Sequence, residues 1–206
     1  MATRRNNFCF DSSPLDISAP RPLNGQVVLL RPARGGFDVL LQRRSMKMPV
    51  MPGHLASIGG MRDRSDTDSR FTAVRELVEE TGLDLRRSQL LLGPTKFDEG
   101  AKVDWYVMVV ADAYFADKAE SLWEVADIRP ILRGLPHATP AYCFGHAWMP
   151  TASIDYIDPK IPLMGGLTRK IHSAVQVAFD AVPPPTREPA PGNEVEVIEI
   201  SDEAEC

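Results

Sequence analysis

Apolar and polar positions along the first half of the chain predict a β-hairpin. Residues 26 to 30 and 37 to 41 are apolar runs, and the turn at 33 to 36 between them ends in two adjacent glycines. Two strand-like runs joined by a short glycine turn are typical of a hairpin. Further strands are predicted at 89 to 92, at 103 to 111 after a turn at 98 to 100, and as a short strand end at 147 to 149.

The clearest helix is predicted over residues 70 to 82. Its apolar residues recur at helical spacing and predict an apolar stripe along one side: Phe71, Val74, Leu77 and Val78. The polar residues at 66 to 69 can supply an N-cap, and Gly82 is a common C-terminal stop. A second amphipathic helix is predicted over 168 to 182.

Segments rich in proline and glycine divide the chain. Residues 45 to 60 predict a loop, and residues 125 to 145, with three prolines, predict an irregular insertion. Residues 1 to 22 predict a flexible N-terminal arm, and residues 183 to 206, proline-rich and then acidic, predict a disordered tail. The sequence therefore predicts one domain over residues 23 to 182.

Composition and charge narrow the class of protein. The 206 residues are 44% hydrophobic and 25% charged, which is typical of globular domains, and no apolar run approaches the roughly 20 residues that span a bilayer. A membrane-spanning protein is therefore not expected. The net charge is −5, and the tail holds seven acids against one arginine, so the rest of the chain is near +1. Duplex nucleic acid is an unlikely partner for such a surface.

Cysteine usage and the N-terminus predict a cellular location. Cys9, Cys143 and Cys206 are odd in number and lack metal-ligand spacing, which is typical of reduced thiols in an intracellular protein. The N-terminus carries no apolar segment of the kind found in secretory signals. We therefore expect an intracellular protein, in the cytoplasm or the nucleus.

Three glutamates cluster on the predicted helix. Glu76, Glu79 and Glu80 stand at i, i+3 and i+4 and are expected on one surface, opposite the apolar stripe. Like charges at this spacing repel one another. Mg²⁺ or Mn²⁺, which prefer oxygen ligands, would relieve that repulsion. Arg75, four residues before Glu79, can brace its carboxylate, while the alternative is an ordinary charged helix face.

The segment from residue 59 to 83 resembles the Nudix box. Gly59 and Gly60 are followed, after fourteen residues, by R-E-L-V-E-E-T-G-L at 75 to 83, which agrees with the family pattern at every defined position. Asp66 stands where the family usually has glutamate, and the spacing to the arginine is longer by one residue. The motif joins a glycine loop to a capped helix, which is the structural context that it requires.

The extra residue makes the segment similar to the coenzyme A diphosphatase-like branch of the family. That branch has aspartates three and six positions after its glycine pair, as Asp63 and Asp66 stand here, and residues 40 to 45 and Gly53 also match its upstream segment. The departures from the branch are Met51, His54, Ser57 and Ile58, where it has His, Gln, Phe and Pro.

The resemblance implies an α/β fold, a Nudix-like α/β/α sandwich with a mixed β-sheet. It also implies a Mg²⁺- or Mn²⁺-dependent hydrolase that cleaves a pyrophosphate bond in a nucleoside-diphosphate-linked substrate, with coenzyme A or acyl-CoA as candidates. Glu76, Glu79 and Glu80 match the metal-binding carboxylates. Glu79 and Glu80 are the favoured direct ligands, Glu76 binds metal or orients the attacking water, and Arg75 orients its neighbours.

Other motif positions are expected to support this site. Gly60 is expected to let the loop backbone approach the metal site closely. Gly59, Asp63 and Asp66 are expected in the loop and around the site, and Asp66 is expected to cap the helix. Family members often recruit a further glutamate from a later loop. The candidates are Glu99, Glu120 and Glu124, with Glu124 ranked first.

Other functions stay open on the sequence alone. Diphosphatases acting on nucleotide sugars, dinucleotides or capped RNA share the motif, and a non-catalytic Nudix-fold binding module is the alternative outside enzymes. The tail segment at 195 to 203 resembles a SUMO-interacting motif and predicts a SUMO-like partner that accepts it as an added strand. A disordered acidic tail or an intramolecular edge strand are the alternatives for that segment.

Overall fold

The computed structural model of the chain describes residues 24–115, 125–135, 142–143 and 145–182. The elements in chain order are β1 (Asn24–Ala33), β2 (Gly36–Arg44), β3 (Leu55–Ala56), β4 (Ile58–Met61), α1 (Ser69–Thr81), β5 (Gln89–Glu99), β6 (Val103–Asp112), β7 (Val125–Ala126), α2 (Arg129–Leu132), β8 (Tyr142–Cys143), β9 (His146–Pro150), a 3-10 helix (Thr151–Tyr156) and α3 (Leu167–Ala181).

The strands form one mixed sheet in the described part of the chain. Its main order is β5-β6-β1-β2-β9-β8, with β3 and β7 pairing with β2, and β4 pairing with β1. Strand β1 runs parallel to β6 and antiparallel to β2 and β4. The parallel pair at the centre of an otherwise antiparallel sheet confirms the predicted mixed architecture.

Helices cover both faces of this sheet. Successive strand residues point to opposite faces, so β1 and β6 contribute to two separate hydrophobic cores. On one face α1 packs through Ala73 and Leu77, and on the other α3 packs through Ile171 and Ala174. The predicted α/β/α sandwich is confirmed.

The predicted hairpin and the second helix are present. Strands β1 and β2 meet at a tight turn in which Ala33 pairs with Gly36, and Gly35 adopts a left-handed φ of 82°. Helix α3 agrees with the predicted span to within one residue at each end. Both features depend on local patterns of apolar and turn residues, which the sequence displays directly.

Three segments differ from the prediction. The expected loop at 45 to 60 contains β3 and β4, and the described parts of the expected irregular insertion contain β7, α2 and β8. Strand β5 runs over eleven residues instead of four and includes Pro94. A proline is tolerated there because β5 is at the edge of the sheet. Strands β3, β4 and β7 form by pairing with β2 or β1, which are distant in the sequence, so no local pattern reveals them.

The buried face of α1 also differs from the predicted apolar stripe. Phe71 is 43% exposed and Val78 is 41% exposed, whereas Glu80 is buried beside Leu77. The expectation that all three glutamates lie opposite the core is therefore wrong. Helix α1 turns its small and polar side, including Ala73, toward the sheet because the strands below it approach very closely.

Several predictions lie outside the described residues. The N-terminal arm, the acidic tail with its 195–203 segment, and the candidates Glu120 and Glu124 are among them. Across the described parts of the chain, no helix is both long and apolar enough to cross a membrane.

Candidate active site

Local sequence sets the limits of the helix that carries the glutamates. The side chain of Asp68 accepts a hydrogen bond from the backbone N–H of Phe71 at 2.7 Å, which makes Asp68 the N-cap. Gly82 ends the helix in a left-handed conformation and donates to the carbonyl of Val78. The expectation that Asp66 caps the helix is therefore wrong, since Asp66 lies two residues earlier and makes different contacts.

Glycines on two neighbouring strands form the floor beneath α1. Gly25 of β1 pairs with Gly60 of β4. A Cβ atom on Gly25 would lie 2.1 Å from the carbonyl oxygen of Ser69, and one on Gly60 would lie 2.5 Å from Glu76 Oε1. A larger residue at Gly25 would push the helix backbone away from the sheet, and one at Gly60 would displace the Glu76 carboxylate. Gly25 was not recognised from the sequence, although a glycine at the start of a strand signals such an approach.

Gly59 completes this floor. Its φ of 144° favours glycine, and a Cβ there would lie 2.3 Å from the carbonyl oxygen of Gly25. Its backbone N–H donates to Glu80 Oε2 at 3.1 Å. Gly59 and Gly60 therefore bring the loop backbone against the carboxylates of Glu80 and Glu76.

Replacing Gly60 with alanine should displace Glu76 and lower activity. The backbone at Gly60 has no left-handed φ, so the effect arises from the 2.5 Å clash with the Glu76 carboxylate. We expect kcat to fall by about 10- to 100-fold, the range seen when groups that orient a ligand are lost. Steady-state turnover checks this, with Gly165→Ala as the matched control because a Cβ there meets nothing within 4 Å. Equal turnover in both variants would contradict the assignment.

Arg75 is the centre of the ionic contacts around the site. Its Nε and Nη2 donate to the two oxygens of Asp66, each at 2.9 Å. Its Nη1 donates to Glu79 Oε2 at 2.7 Å, and its Nη2 also lies 2.9 Å from Glu76 Oε1. Because the guanidinium is shared among these three carboxylates, Arg75 sets their relative positions.

Asp66 is the fixed partner in this arrangement. Its side chain is fully buried, and Oδ2 also accepts from the backbone N–H of Asp63 and from Thr72 Oγ1, both at 2.9 Å. The hydrogen bonds from Arg75 lower the pKa of Asp66 well below its ordinary value, against the opposing effect of burial. The same pair raises the pKa of Arg75. Asp66 is therefore ionised at neutral pH, although its side chain is buried.

The three motif glutamates occupy different environments. Glu80 is 7% exposed, and its Oε2 accepts from Gln42 Nε2 at 2.9 Å as well as from Gly59. The side chain of Glu79 is 53% exposed. Glu76 lies against Gly60 and is largely buried. The three carboxylates of the helix therefore differ in solvent exposure, from the buried Glu80 beside the loop to the half-exposed Glu79.

This donor set fits a hard divalent cation. No three His, Cys, Asp or Glu side chains among the described residues are close enough together to enclose a metal ion. Mg²⁺ does not require such a closed cage, since it usually takes one or two carboxylates, several waters and substrate phosphates. Glu76, Glu79 and Glu80 supply oxygen donors only, beside a loop whose glycines leave room at the carboxylates.

Two further sequence candidates lie away from these carboxylates. The side chain of Asp63 is exposed, and its contact with the site is made through its backbone N–H. Glu99 of β5 is opposite Asp104 of β6 in the sheet. Asp104 is in turn opposite Gly25 of β1, and Gly25 is opposite Gly60 of β4. Three strand spacings of about 4.8 Å place Glu99 roughly 14 Å from Gly60, too far for direct contact.

Comparison with known proteins identifies the family. A model of the NUDIX domain matches residues 22–131, more than half of the chain. This chain belongs to the Nudix family. The glycine loop and the helix with three glutamates are therefore a Nudix box in sequence and in geometry, and the predicted hydrolase class agrees with this membership.

One curated Nudix relative supports the predicted branch. The peroxisomal coenzyme A diphosphatase NUDT7 of Mus musculus is 40% identical over 74 residues. The match covers 34% of this chain and 31% of that protein, so it spans about a third of the relative's length. The similarity is consistent with the branch that the spacing of the Nudix box indicates.

A solved Nudix structure supports the fold. The Nudix hydrolase RenU from M. smegmatis aligns over 79% of this chain and 88% of its own, with a TM-score of 0.50 and 18% sequence identity. At this level of identity the likeness concerns the fold alone.

Proposed function

We propose that the protein is a Mg²⁺- or Mn²⁺-dependent Nudix hydrolase that cleaves a pyrophosphate bond in a nucleoside-diphosphate-linked substrate. The observation that carries the proposal is the placement of Glu76, Glu79 and Glu80 beside the Gly59–Gly60 loop, with Arg75 joining two of the three glutamates to one buried aspartate. A helix face with no chemical role has little need for such a crowded set of anions.

The carboxylates of the site would have different roles in hydrolysis at the phosphates. Bound Mg²⁺ or Mn²⁺ would offset the negative charge that develops on the phosphoryl oxygens. Glu79 and Glu80 would hold the cation, and Glu76 would hold it or orient the attacking water. As the water oxygen bonds to phosphorus, the bridging P–O bond breaks and the water's proton passes to a carboxylate. Glu124, outside the described residues, remains a candidate for that general base.

Arg75 would position the carboxylates and would not contact the substrate itself. Its guanidinium already contacts Asp66, Glu76 and Glu79, and Nη2 also donates to the carbonyl of Met61 at 3.1 Å. Each of the three guanidinium nitrogens, Nε, Nη1 and Nη2, thus donates at least one hydrogen bond within the protein. We therefore assign Arg75 a positioning role.

Coenzyme A or an acyl-CoA is the first substrate candidate. The partial similarity to the mouse coenzyme A diphosphatase and the spacing of the Nudix box support it. The departures at Met51, His54 and Ser57 leave nucleotide sugars, dinucleotides and capped RNA as alternatives. A non-catalytic binding module is the second reading, and the intact set of three glutamates argues against it.

A substrate screen tests this function. We expect Mg²⁺- or Mn²⁺-dependent release of phosphorylated products from at least one member of a panel of coenzyme A, ADP-ribose, NADH, dinucleoside polyphosphates and capped RNA. EDTA should abolish that turnover and added cation should restore it, because the carboxylates alone cannot offset the charge on the phosphoryl oxygens. Product analysis by liquid chromatography gives the readout. No turnover of any substrate with either metal would favour the binding module.

Partner binding and location extend the proposal beyond the described residues. We propose that the tail segment at 195 to 203 adds as a strand to a SUMO-like partner, and that the protein is intracellular, in the cytoplasm or the nucleus. Binding of a SUMO protein that is unchanged when Val197 and Ile198 are replaced by alanine would contradict the first proposal.

A further inference from the structure

Four buried polar residues form a path of hydrogen bonds that ends on Glu80. Ser57 Oγ donates to Gln26 Oε1 at 2.9 Å. Gln42 Nε2 donates both to the carbonyl oxygen of Ser57, at 3.2 Å, and to Glu80 Oε2, at 2.9 Å. All four residues are less than 10% exposed. This buried polar path joins β1, β2 and the segment before β4 to the helix of the Nudix box.

The path controls the direction of a carboxylate. Glu80 Oε2 accepts from Gln42 and from the backbone N–H of Gly59, so two fixed donors set the rotation of the carboxylate group. Both donors are neutral, and they orient the group without cancelling its charge. Two hydrogen bonds to one oxygen thereby determine where the other oxygen points.

The donors themselves are held from behind. The two N–H groups of the Gln42 amide are occupied by Ser57 and Glu80, so the amide cannot rotate without losing a buried hydrogen bond. The Ser57 side chain donates a hydrogen bond to Gln26. Gly59 packs directly against the backbone of Gln26, since a Cβ atom added to Gly59 would lie 2.7 Å from the Gln26 Cα. The segment from 57 to 59 is therefore fixed to β1 at both ends.

We propose that Gln42, supported by Ser57, is a positioning residue that aims the Glu80 carboxylate at the catalytic cation. This inference rests on the proposed function, since it assigns Glu80 as a cation ligand. Outer partners of metal ligands typically change metal affinity by about 10- to 100-fold when they are removed. Gln42 is such an outer partner of Glu80, because it donates a hydrogen bond directly to the Glu80 carboxylate.

Binding of Mn²⁺ alone tests the proposal without any substrate. Free Mn²⁺ is titrated by electron paramagnetic resonance against the whole protein and its variants. Gln42→Leu should weaken Mn²⁺ binding by about 10-fold or more. Ser57→Ala should weaken it by less, because alanine keeps the carbonyl oxygen that accepts from Gln42 and loses only the side-chain bond to Gln26. Gln176→Leu is the matched control, since Gln176 is on α3 and bonds only within its own exposed turn. Thermal unfolding in EDTA confirms that each variant is folded.

A double-mutant cycle separates positioning from a general effect on packing. If Gln42 acts through Glu80, then Gln42→Leu should change Mn²⁺ affinity by less than about 2-fold when Glu80→Gln is already present. Equal losses with and without Glu80→Gln would overturn the inference. A merely structural role would lower the unfolding temperature and leave the affinity of the folded protein unchanged, which also overturns it.

The same titration distinguishes failure of the inference from failure of the proposed function. Weaker Mn²⁺ binding in Glu80→Gln, with wild-type affinity in Gln42→Leu, overturns the inference and leaves the function standing. Wild-type binding in Glu80→Gln, or no binding in the wild type, removes the cation site and both proposals with it. In turnover assays the Gln42 variant should need more Mg²⁺ for half-maximal rate, with a smaller change in kcat.

Discussion

Replacing Glu80 with glutamine should abolish metal-dependent hydrolysis while the protein stays folded. The glutamine keeps a carbonyl oxygen that can accept the hydrogen bonds of Gln42 and Gly59, so we expect the free energy of unfolding to stay within about 1 kcal/mol of wild type. It removes the negative charge that a cation would bind. We expect kcat to fall by on the order of 100-fold or more, and Glu79→Gln to behave similarly.

The position of Glu79 allows a sharper comparison. Glu79 is half exposed and paired with Arg75, so Glu79→Gln should hardly change stability. Glu99→Gln is the matched control, because Glu99 is a 78% exposed glutamate on β5 outside the Nudix box. Steady-state kinetics with thermal unfolding gives both readouts. Turnover close to wild type in Glu79→Gln or Glu80→Gln would remove the catalytic assignment.

Replacing Asp66 with asparagine should cause the largest loss of stability. The Asp66 carboxylate is fully buried, and its variant would leave the largely buried Arg75 guanidinium without its main partner. Breaking such a pair costs about 3 kcal/mol, the lower end of the usual range, because Arg75 keeps Glu76 and Glu79. For a domain of this size that corresponds to a fall in Tm of roughly 6 to 12 °C.

The pH dependence of stability should identify Asp66 as the source of this energy. The pKa of Asp66 is lower in the folded state than its ordinary value of 3.8, so the folded protein resists protonation of this group. Its contribution is complete well above that value and is lost as the pH falls below it toward the folded-state pKa. The free energy of unfolding should therefore drop more steeply with acid in wild type than in Asp66→Asn.

Chemical denaturation at several pH values between 2 and 7 checks this behaviour. Asp127→Asn is a suitable control, because Asp127 also pairs with an arginine and has a lowered pKa, yet lies on the surface. Replacing Asp127 should hardly change the free energy of unfolding, because water screens an exposed ion pair. Equal pH profiles for Asp66→Asn and wild type would show that the buried pair is not the cause.

Features of the site could be predicted from the sequence only where the interacting residues are close together in the chain. The limits of α1 follow from a capping side chain three residues from its partner and a glycine at its end. The sequence predicted Gly82 and a cap within residues 66 to 69, but the assignment of the cap to Asp66 was wrong because Asp68 holds that position. Glu80 could be assigned to the carboxylate cluster by its spacing from Glu76. Its burial could not be predicted, because its partner Gln42 lies 38 residues earlier and belongs to another strand.

The same limit applies to the fold. The β1–β2 hairpin was predictable because its strands are joined by a tight turn. The short strands β3, β4 and β7 were not, since each forms by pairing with a strand distant in sequence. The predicted apolar stripe on α1 failed for a related reason: the glycine floor admits the small face of the helix, and Phe71 and Val78 are left at the surface.

The resemblance to the Nudix family supplied the predicted hydrolase class. The sequence by itself determined the Nudix box and the helix that carries it. These follow from residue types at short, regular spacing, where geometry is nearly independent of the rest of the chain. Only the tertiary structure decided that Arg75 spans three carboxylates, that Gly25 lies under the helix, and that Gln42 and Ser57 hold Glu80. Those contacts depend on strand register and close packing, which arise when distant segments meet.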